Sequence, residues 1–246
     1  MSWRLVFCAA GLALGSTVPQ VVYAQQQACA ALVAVSYIDP ALAGEAPAEG
    51  KQLEHFNAEL IQALGQATQL AIKLESSQGR KALAEVRSGR VDLIIGVSSA
   101  PEDDAQLDYL EPAYLQKNYR LWRRAGEQLS LKRWPELSGL RGVQVVPTTE
   151  LTDFAVQAEL LNWPVRTVQT LDAAVDKVID GRADYLLAEQ QELLEHLEQH
   201  SLAQDFEFIE PVVESQELYV ALAKDSVCNT AALRSRLSKA LVELSQ

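Results

Sequence analysis

Hydrophobic positions along this chain fall into two rhythms, and the clearest change from one to the other lies between Ser88 and Leu115. Gly89 stops a helix, Arg90 and Asp92 follow, and Val91 to Val97 is a nearly unbroken apolar run of strand length ending at Ser98 and Ser99. Successive apolar positions bury both faces of a strand, as in a parallel sheet covered by helices, and polar residues just past such a strand point into the crevice where these sheets bind ligands. The same grammar recurs at Asp180 to Gln190: helix, Gly181, Arg182, Asp184, apolar strand, then Glu189 and Gln190. By itself Gly-Arg-x-Asp is a helix-stop-strand device open to any α/β protein. Two copies predict two α/β lobes whose polar strand ends face a shared cleft.

The remaining elements fit that plan. Ala31 to Val35 reads as a strand, and Leu53, Phe56, Leu60, Ile61 and Leu64 form one helical face that Gly65 closes. Leu70, Ile72 and Leu74 alternate as a strand, and a short helix carries Ala82, Leu83 and Val86. In the second half, Val143 to Val146 and Val165 to Val168 are strands, Thr148 or Thr149 caps one helix and Thr170 the next. This is βαβαβ twice, the order of a doubly wound sheet. Tyr114 to Arg124 is an extended run suited to crossing between lobes, and Phe206 to Val213 or Leu218 to Ala223 supplies a return crossing. A last helix spans Thr230 to Leu244 with a leucine stripe. Lobes joined by ordered strands suit hinge closure on a ligand.

Composition narrows the setting. The chain has 246 residues and a formal net charge of −12, which argues against nucleic acid and anionic membrane partners. Residues 1–24 read as a signal peptide: Arg4 gives the positive start, Leu5 to Gly15 an apolar core, and Val22-Tyr23-Ala24 a small-residue cleavage site. An apolar core of about eleven residues is too short for a bilayer, which needs roughly twenty. An exported, periplasmic mature protein beginning near Gln25 is expected, with no membrane insertion. Cys29 and Cys228 then remain, either as a disulfide in an oxidising compartment or as two separate buried thiols. His196 and His200 lie one helical turn apart with Glu192 on the same face, a spacing a metal could use, but they read as a charged outer helix face, and no metal or cofactor is called for. No nucleophile elbow, P-loop or HExxH is present, so no catalytic residue is assigned.

Taken together, Leu32-Val33-Ala34-Val35, Phe56-Asn57-Ala58-Glu59-Leu60, Gly89-Arg90-x-Asp92, Pro101-Glu102, Asp108-Tyr109-x-Glu111-Pro112, Leu140-x-Gly142-Val143 and Gly181-Arg182-Ala183-Asp184 resemble the periplasmic solute-binding proteins of family 3. The resemblance covers most of the mature chain and rests on order and spacing more than on any single motif. It implies the two-lobed type II periplasmic-binding-protein fold, each lobe a mostly parallel sheet flanked by helices. Residues 25–116 with 212–246 would form lobe 1, and residues 117–211 lobe 2. It implies binding of a small polar solute between the lobes as receptor for an ABC importer. A sensory module of the same fold, signalling to a membrane partner, is the second reading, and a dehydratase-like enzyme ranks below both.

Carried over residue by residue, the family's pattern implies that Ser98 donates to the ligand from lobe 1. Thr149 would hold a carboxylate at a helix N-terminus, Glu189 would meet an ammonium group, and Tyr37 would wall the pocket. The chain also departs from the pattern. Asp103, followed by Asp104, stands where members that bind α-amino acids carry an arginine, so a carboxylate would be repelled where it is usually clamped. Arg80, at the start of the short helix, resembles an arginine that some divergent members place at the cleft edge, where it could supply a displaced anion contact.

Overall fold

The computed structural model describes residues 29, 31–37, 48–75, 77, 80–98, 106–127, 133–145 and 152–245. The proposed signal peptide, Thr148, Thr149, Asp103 and Asp104 lie outside them. The strands are β1 (Ala31–Ser36), β2 (Ala71–Glu75), β3 (Leu93–Ser98), β4 (Leu107–Arg124), β5 (Gly142–Val145), β6 (Val165–Val168), β7 (Tyr185–Glu189) and β8 (Phe206–Ala223). The helices are α1 (Ala48–Thr68), α2 (Arg80–Arg87), α3 (Thr152–Leu160), α4 (Leu171–Ile179), α5 (Gln190–Gln199) and α6 (Ala231–Leu244). All the strands belong to one 8-stranded sheet in the order β2-β1-β3-β8-β4-β7-β5-β6.

The parallel trios at the two ends, β2-β1-β3 and β7-β5-β6, are the two βαβαβ units read from the sequence. Between them run β4 and β8, antiparallel to each other, each an 18-residue strand. Phe206 to Val213 and Leu218 to Ala223 are therefore one strand, where the hydrophobic pattern suggested two. Pro211 and Pro112, which break the alternation and lack an N–H to donate, sit at the register shifts of this ladder. A second difference lies in α1, which runs past Gly65 to Thr68, with Gln69 taking the left-handed turn at φ 53°. Gly65 has another use: a Cβ there would lie 3.0 Å from the carbonyl oxygen of Leu70.

Burial follows the two halves. Leu32, Ala34, Leu93, Ile95, Val220 and Leu222 pack under α1 and α6, while Val35, Ile94, Val97 and Ala221 pack on the other face against Ala82 and Val86 of α2. In the second half, Trp122, Val143, Leu186 and Ala188 pack against α4 and α5, and Tyr119, Leu121, Leu187 and Ile209 against Phe154 and Trp163. Cys29 and Cys228 form a disulfide with Cα atoms 5.3 Å apart, tying the start of the first strand to the turn before α6.

The repeated motif has a physical role in each half. Gly89 and Gly181 adopt φ of 68° and 66°, and the next N–H, of Arg90 or Arg182, closes back on the carbonyl of Glu85 (3.2 Å) or Lys177 (2.8 Å), a left-handed helix stop. The aspartate then brackets the neighbouring parallel strand at one residue. Asp92 donates its backbone N–H to the Val33 carbonyl at 2.8 Å and accepts the Val33 N–H on Oδ2 at 2.9 Å. Asp184 does the same to Arg141, at 2.7 Å for each bond. Asp92 Oδ1 also accepts from the Ser226 hydroxyl at 2.6 Å, and Asp184 receives the Arg141 guanidinium at 2.6 and 3.1 Å. Each motif thus sets strand register as well as stopping a helix.

Hydrogen bonds to a charged acceptor contribute about 1.5–3 kcal/mol, so Asp92→Ala should lower the unfolding free energy by about 2–3 kcal/mol, measured by urea titration. The Asp184 carboxyl is held below the usual carboxylate range, first by its hydrogen bond from Arg141. Its stabilisation is therefore complete above the ordinary Asp pKa and is lost as pH falls through the lowered value. Asp184→Asn should flatten the acid limb of the stability profile and leave its slope near neutrality unchanged.

Candidate functional site

The direction of the strands fixes where polar ends meet. β3 runs alongside β8 with Ser98 opposite Leu218, and Leu218 pairs in turn with Leu115 of β4. On the other side β7 runs antiparallel to β4, with Glu189 opposite Tyr119. The carboxyl ends of β3 and β7 therefore point toward one another along the crossing strands, separated by the Leu115 to Tyr119 segment, about 13 Å at about 3.3 Å per residue. β1 ends beside β3, with the Tyr37 N–H donating to the Ile95 carbonyl at 2.7 Å. Ser36, Tyr37, Ser98 and Glu189 thus lie on two facing rims.

On the first rim, Ser98 is exposed and its carbonyl accepts from the Tyr109 hydroxyl at 3.4 Å. Tyr37 is half-buried and packs against the Val35, Ile94 and Val97 cluster. Arg80 is the first residue of α2, and its side chain lies outside the described residues. Gly96 shapes this rim: at φ 93°, a Cβ there would meet the Tyr37 carbonyl oxygen at 2.6 Å. Behind it, Asn57 of α1 is fully buried, its Nδ2 donating to Ser36 Oγ at 2.8 Å while its Oδ1 accepts from the Tyr114 hydroxyl at 2.7 Å. Burial pushes the Tyr114 phenol well above its usual range, so it serves as a donor. This triad joins α1, β1 and the crossing strand at one point.

On the second rim, Glu189 is 8% exposed and both carboxylate oxygens are engaged. Oε2 caps α5 by accepting the Glu192 N–H at 2.8 Å, and Oε1 accepts the Asn118 N–H of β4 at 3.3 Å. Gln190 accepts from Arg120 at 2.5 Å, and Arg120 also pairs with Glu210 at 2.9 Å and stacks over Phe208. A cavity of about 330 Å³ opens between α1 and α5, over Leu115, Gln116 and Lys117. Its wall includes Leu53, Phe56, Glu59, Glu189, Glu192 and Glu195. Glu189 lines it; Tyr37 and Ser98 do not.

Three residues that organise the rims, Asn57, Gly96 and Tyr114, carry no site role in the sequence reading, although Asn57 falls within one of its motifs. The signal for Asn57 was available, since a carboxamide between Leu53, Phe56, Leu60 and Ile61 must find buried partners. Gly96 sits inside an apolar strand, itself a mark of close backbone approach.

No family model matches the chain. A curated protein of Campylobacter jejuni, described as a "Probable histidine-binding protein", is 25% identical over 144 residues, 58% of this chain and 54% of that protein. The chain thus spans about half the length of the curated relative it matches. Among solved structures, the L-cystine solute receptor of Neisseria gonorrhoeae, in its unliganded open conformation, superposes with a TM-score of 0.63 at 18% identity, covering 87% of this chain and 86% of the receptor. A histidine kinase sensor domain with similarity to periplasmic binding proteins gives a TM-score of 0.55 at 16% identity, covering 87% of this chain and 90% of that domain. The chain has the two-lobed type II periplasmic-binding-protein fold, and the resemblance to family 3 solute-binding proteins is borne out in these relatives. Among the described residues, no helix is long and apolar enough to cross a membrane.

The cap has a measurable weight. Glu189→Ala should lower stability in the absence of any ligand by about 1–2 kcal/mol through loss of the N-cap and the Asn118 contact, read as a drop in Tm. An unchanged Tm would show that the carboxylate is spare.

Proposed function

We propose that this protein binds a small polar solute between its two lobes, residues 25–116 with 212–246 and residues 117–211, and presents the closed form to an ABC importer. The observation that carries the reading is the opposition of the β3 and β7 carboxyl ends across the Leu115 to Tyr119 segment. Strands β4 and β8 serve as the hinge. Ser98, Tyr37 and Arg80 act from the first lobe, with Thr149 and Glu189 from the second. Because its carboxylate caps a helix, Glu189 has to share its oxygens with the solute or give one up on closure. Glu59, Glu189, Glu192 and Glu195 around the cavity, set against Lys117, favour a solute that carries a positive charge.

The binding names of the relatives support a receptor over an enzyme of the same fold. A periplasmic location follows from the signal peptide reading and agrees with the disulfide. A sensory module is the second reading, favoured by the kinase sensor domain that shares the fold. The identity of the membrane protein encoded beside the gene separates the two: a permease for transport, a sensor for signalling.

A thermal-shift screen of basic and neutral amino acids, polyamines, organic acids and sugars tests the reading. A true solute at about 100 times its Kd adds about 2.7 kcal/mol of stability, a Tm rise of several degrees. Ser98→Ala should weaken that solute by about tenfold, the equivalent of one hydrogen bond of about 1.4 kcal/mol. A screen in which no class raises Tm, or a solute whose affinity ignores Ser98→Ala and Thr149→Ala together, would overturn it.

A further inference from the structure

His196 of α5 and His200, the residue that caps its carboxyl end, do not stand alone. Asp172, in the first turn of α4, reaches them from the neighbouring helix: its Oδ1 lies 3.5 Å from His196 Nε2 and 3.7 Å from His200 Nε2, and the three groups offer ligand atoms all within 4.8 Å of one another. Zn²⁺ bound at about 2.0–2.1 Å in a tetrahedron sets neighbouring ligand atoms about 3.3–3.4 Å apart, so two of the three edges are already within a few tenths of an ångström of the required length. The histidines are four residues apart across the last turn of α5, whose backbone bond from the His200 N–H to the His196 carbonyl (3.2 Å) keeps the spacing at which two side chains share a face. Glu192, expected from the sequence to share that face, is not part of the cluster; the third group comes from α4.

A second observation concerns the proton. His200 Nδ1 lies 2.8 Å from the His196 carbonyl oxygen. A carbonyl can only accept, so Nδ1 carries the hydrogen, and Nε2 is the nitrogen left on the Asp172 side to give its lone pair to an ion. This is the arrangement that orients histidine ligands in metal sites, a backbone carbonyl holding the far nitrogen and fixing the tautomer. His196 is largely covered, with 15% of its side chain exposed, whereas Asp172 is 69% exposed and can swing onto an ion without repacking.

We propose that Asp172, His196 and His200 form a site for a borderline divalent cation of the Zn²⁺ type, with a fourth position left to solvent. Imidazole nitrogens and one carboxylate suit Zn²⁺, Ni²⁺ or Cu²⁺ and are poor company for Ca²⁺ or Mg²⁺. The ion would pin α5 to α4. Because Glu189 caps α5, the site fixes one rim of the cleft from the outer side of its helix, and it does so whether or not the cleft binds the solute proposed above.

The test is titration of the untagged, chelator-stripped mature protein with Zn²⁺ by calorimetry near neutral pH, with Co²⁺ absorption as a report of tetrahedral ligation. One ion per chain is expected, with a rise in Tm that chelator reverses. His196→Ala and His200→Ala should each weaken Zn²⁺ by about 10- to 100-fold. Asp172→Asn, at an exposed position where misfolding is not an issue, should weaken it by about tenfold and leave any solute-induced Tm shift intact. The third histidine of the chain, His55 on α1, lines the cavity between the lobes and is the control for the metal: His55→Ala should leave Zn²⁺ affinity unchanged. No saturable Zn²⁺ binding, or binding that survives in the His196→Ala, His200→Ala double variant, would overturn the proposal.

Discussion

The antiparallel ladder between β4 and β8 is the interaction on which the rest of this molecule depends. At one end its strands complete the sheet that begins with β2-β1-β3, at the other they complete β7-β5-β6, and the middle belongs to neither. Backbone hydrogen bonds hold the middle whichever way its flanks lean, because a two-stranded ribbon tolerates more twist than a covered sheet. Side-chain contacts tie it to both rims: Lys117 is buried against the cavity floor, Asn118 holds Ser215 across the ladder and gives its N–H to Glu189, and Arg120 reaches Gln190. A bend at the ribbon would therefore move the rims and leave the packed halves unchanged.

Each half is made rigid by the same joint. An aspartate one residue before a central strand meets both backbone groups of a single residue on its neighbour, so the register of a parallel pair is set by one carboxylate and one amide. A slip by one residue would turn every side chain of β3 or β7 to the other face, and these are strands with nearly every residue buried. The glycine before the aspartate is needed because only a left-handed residue brings the chain from the helix end to that position.

Much of this was legible in the sequence because it rests on local rules. Apolar runs bounded by Gly-Arg-x-Asp mark both βαβαβ units, Thr170 caps the helix it precedes, the last helix starts within a residue of Thr230, and the cysteines pair. What escaped was non-local. Nothing in the pattern around Val213 to Leu218 says that a polar stretch of strand continues, since Glu214, Ser215, Gln216 and Glu217 are held by partners on β4 about a hundred residues away. From its place after an apolar strand Glu189 is a polar group offered to a ligand, whereas its engagement by two backbone amides depends on the next turn of helix and on another strand. Asp172 could not be linked to His196 and His200 from spacing, because their meeting is set by how α4 and α5 pack.

The pairing of β3 with β8 has a consequence for how the chain must be assembled. Leu93 to Ser98 wait for partners at Leu218 to Leu222, so the central strand of the first half keeps a bare edge until nearly the whole polypeptide is available. The second half, by contrast, draws β5, β6 and β7 from consecutive sequence and lacks only the far arm of the ladder. Maturation should therefore run from the inserted half outward, with the amino-terminal strands sealed last, when the carboxyl-terminal helix docks and the cysteine link closes over it.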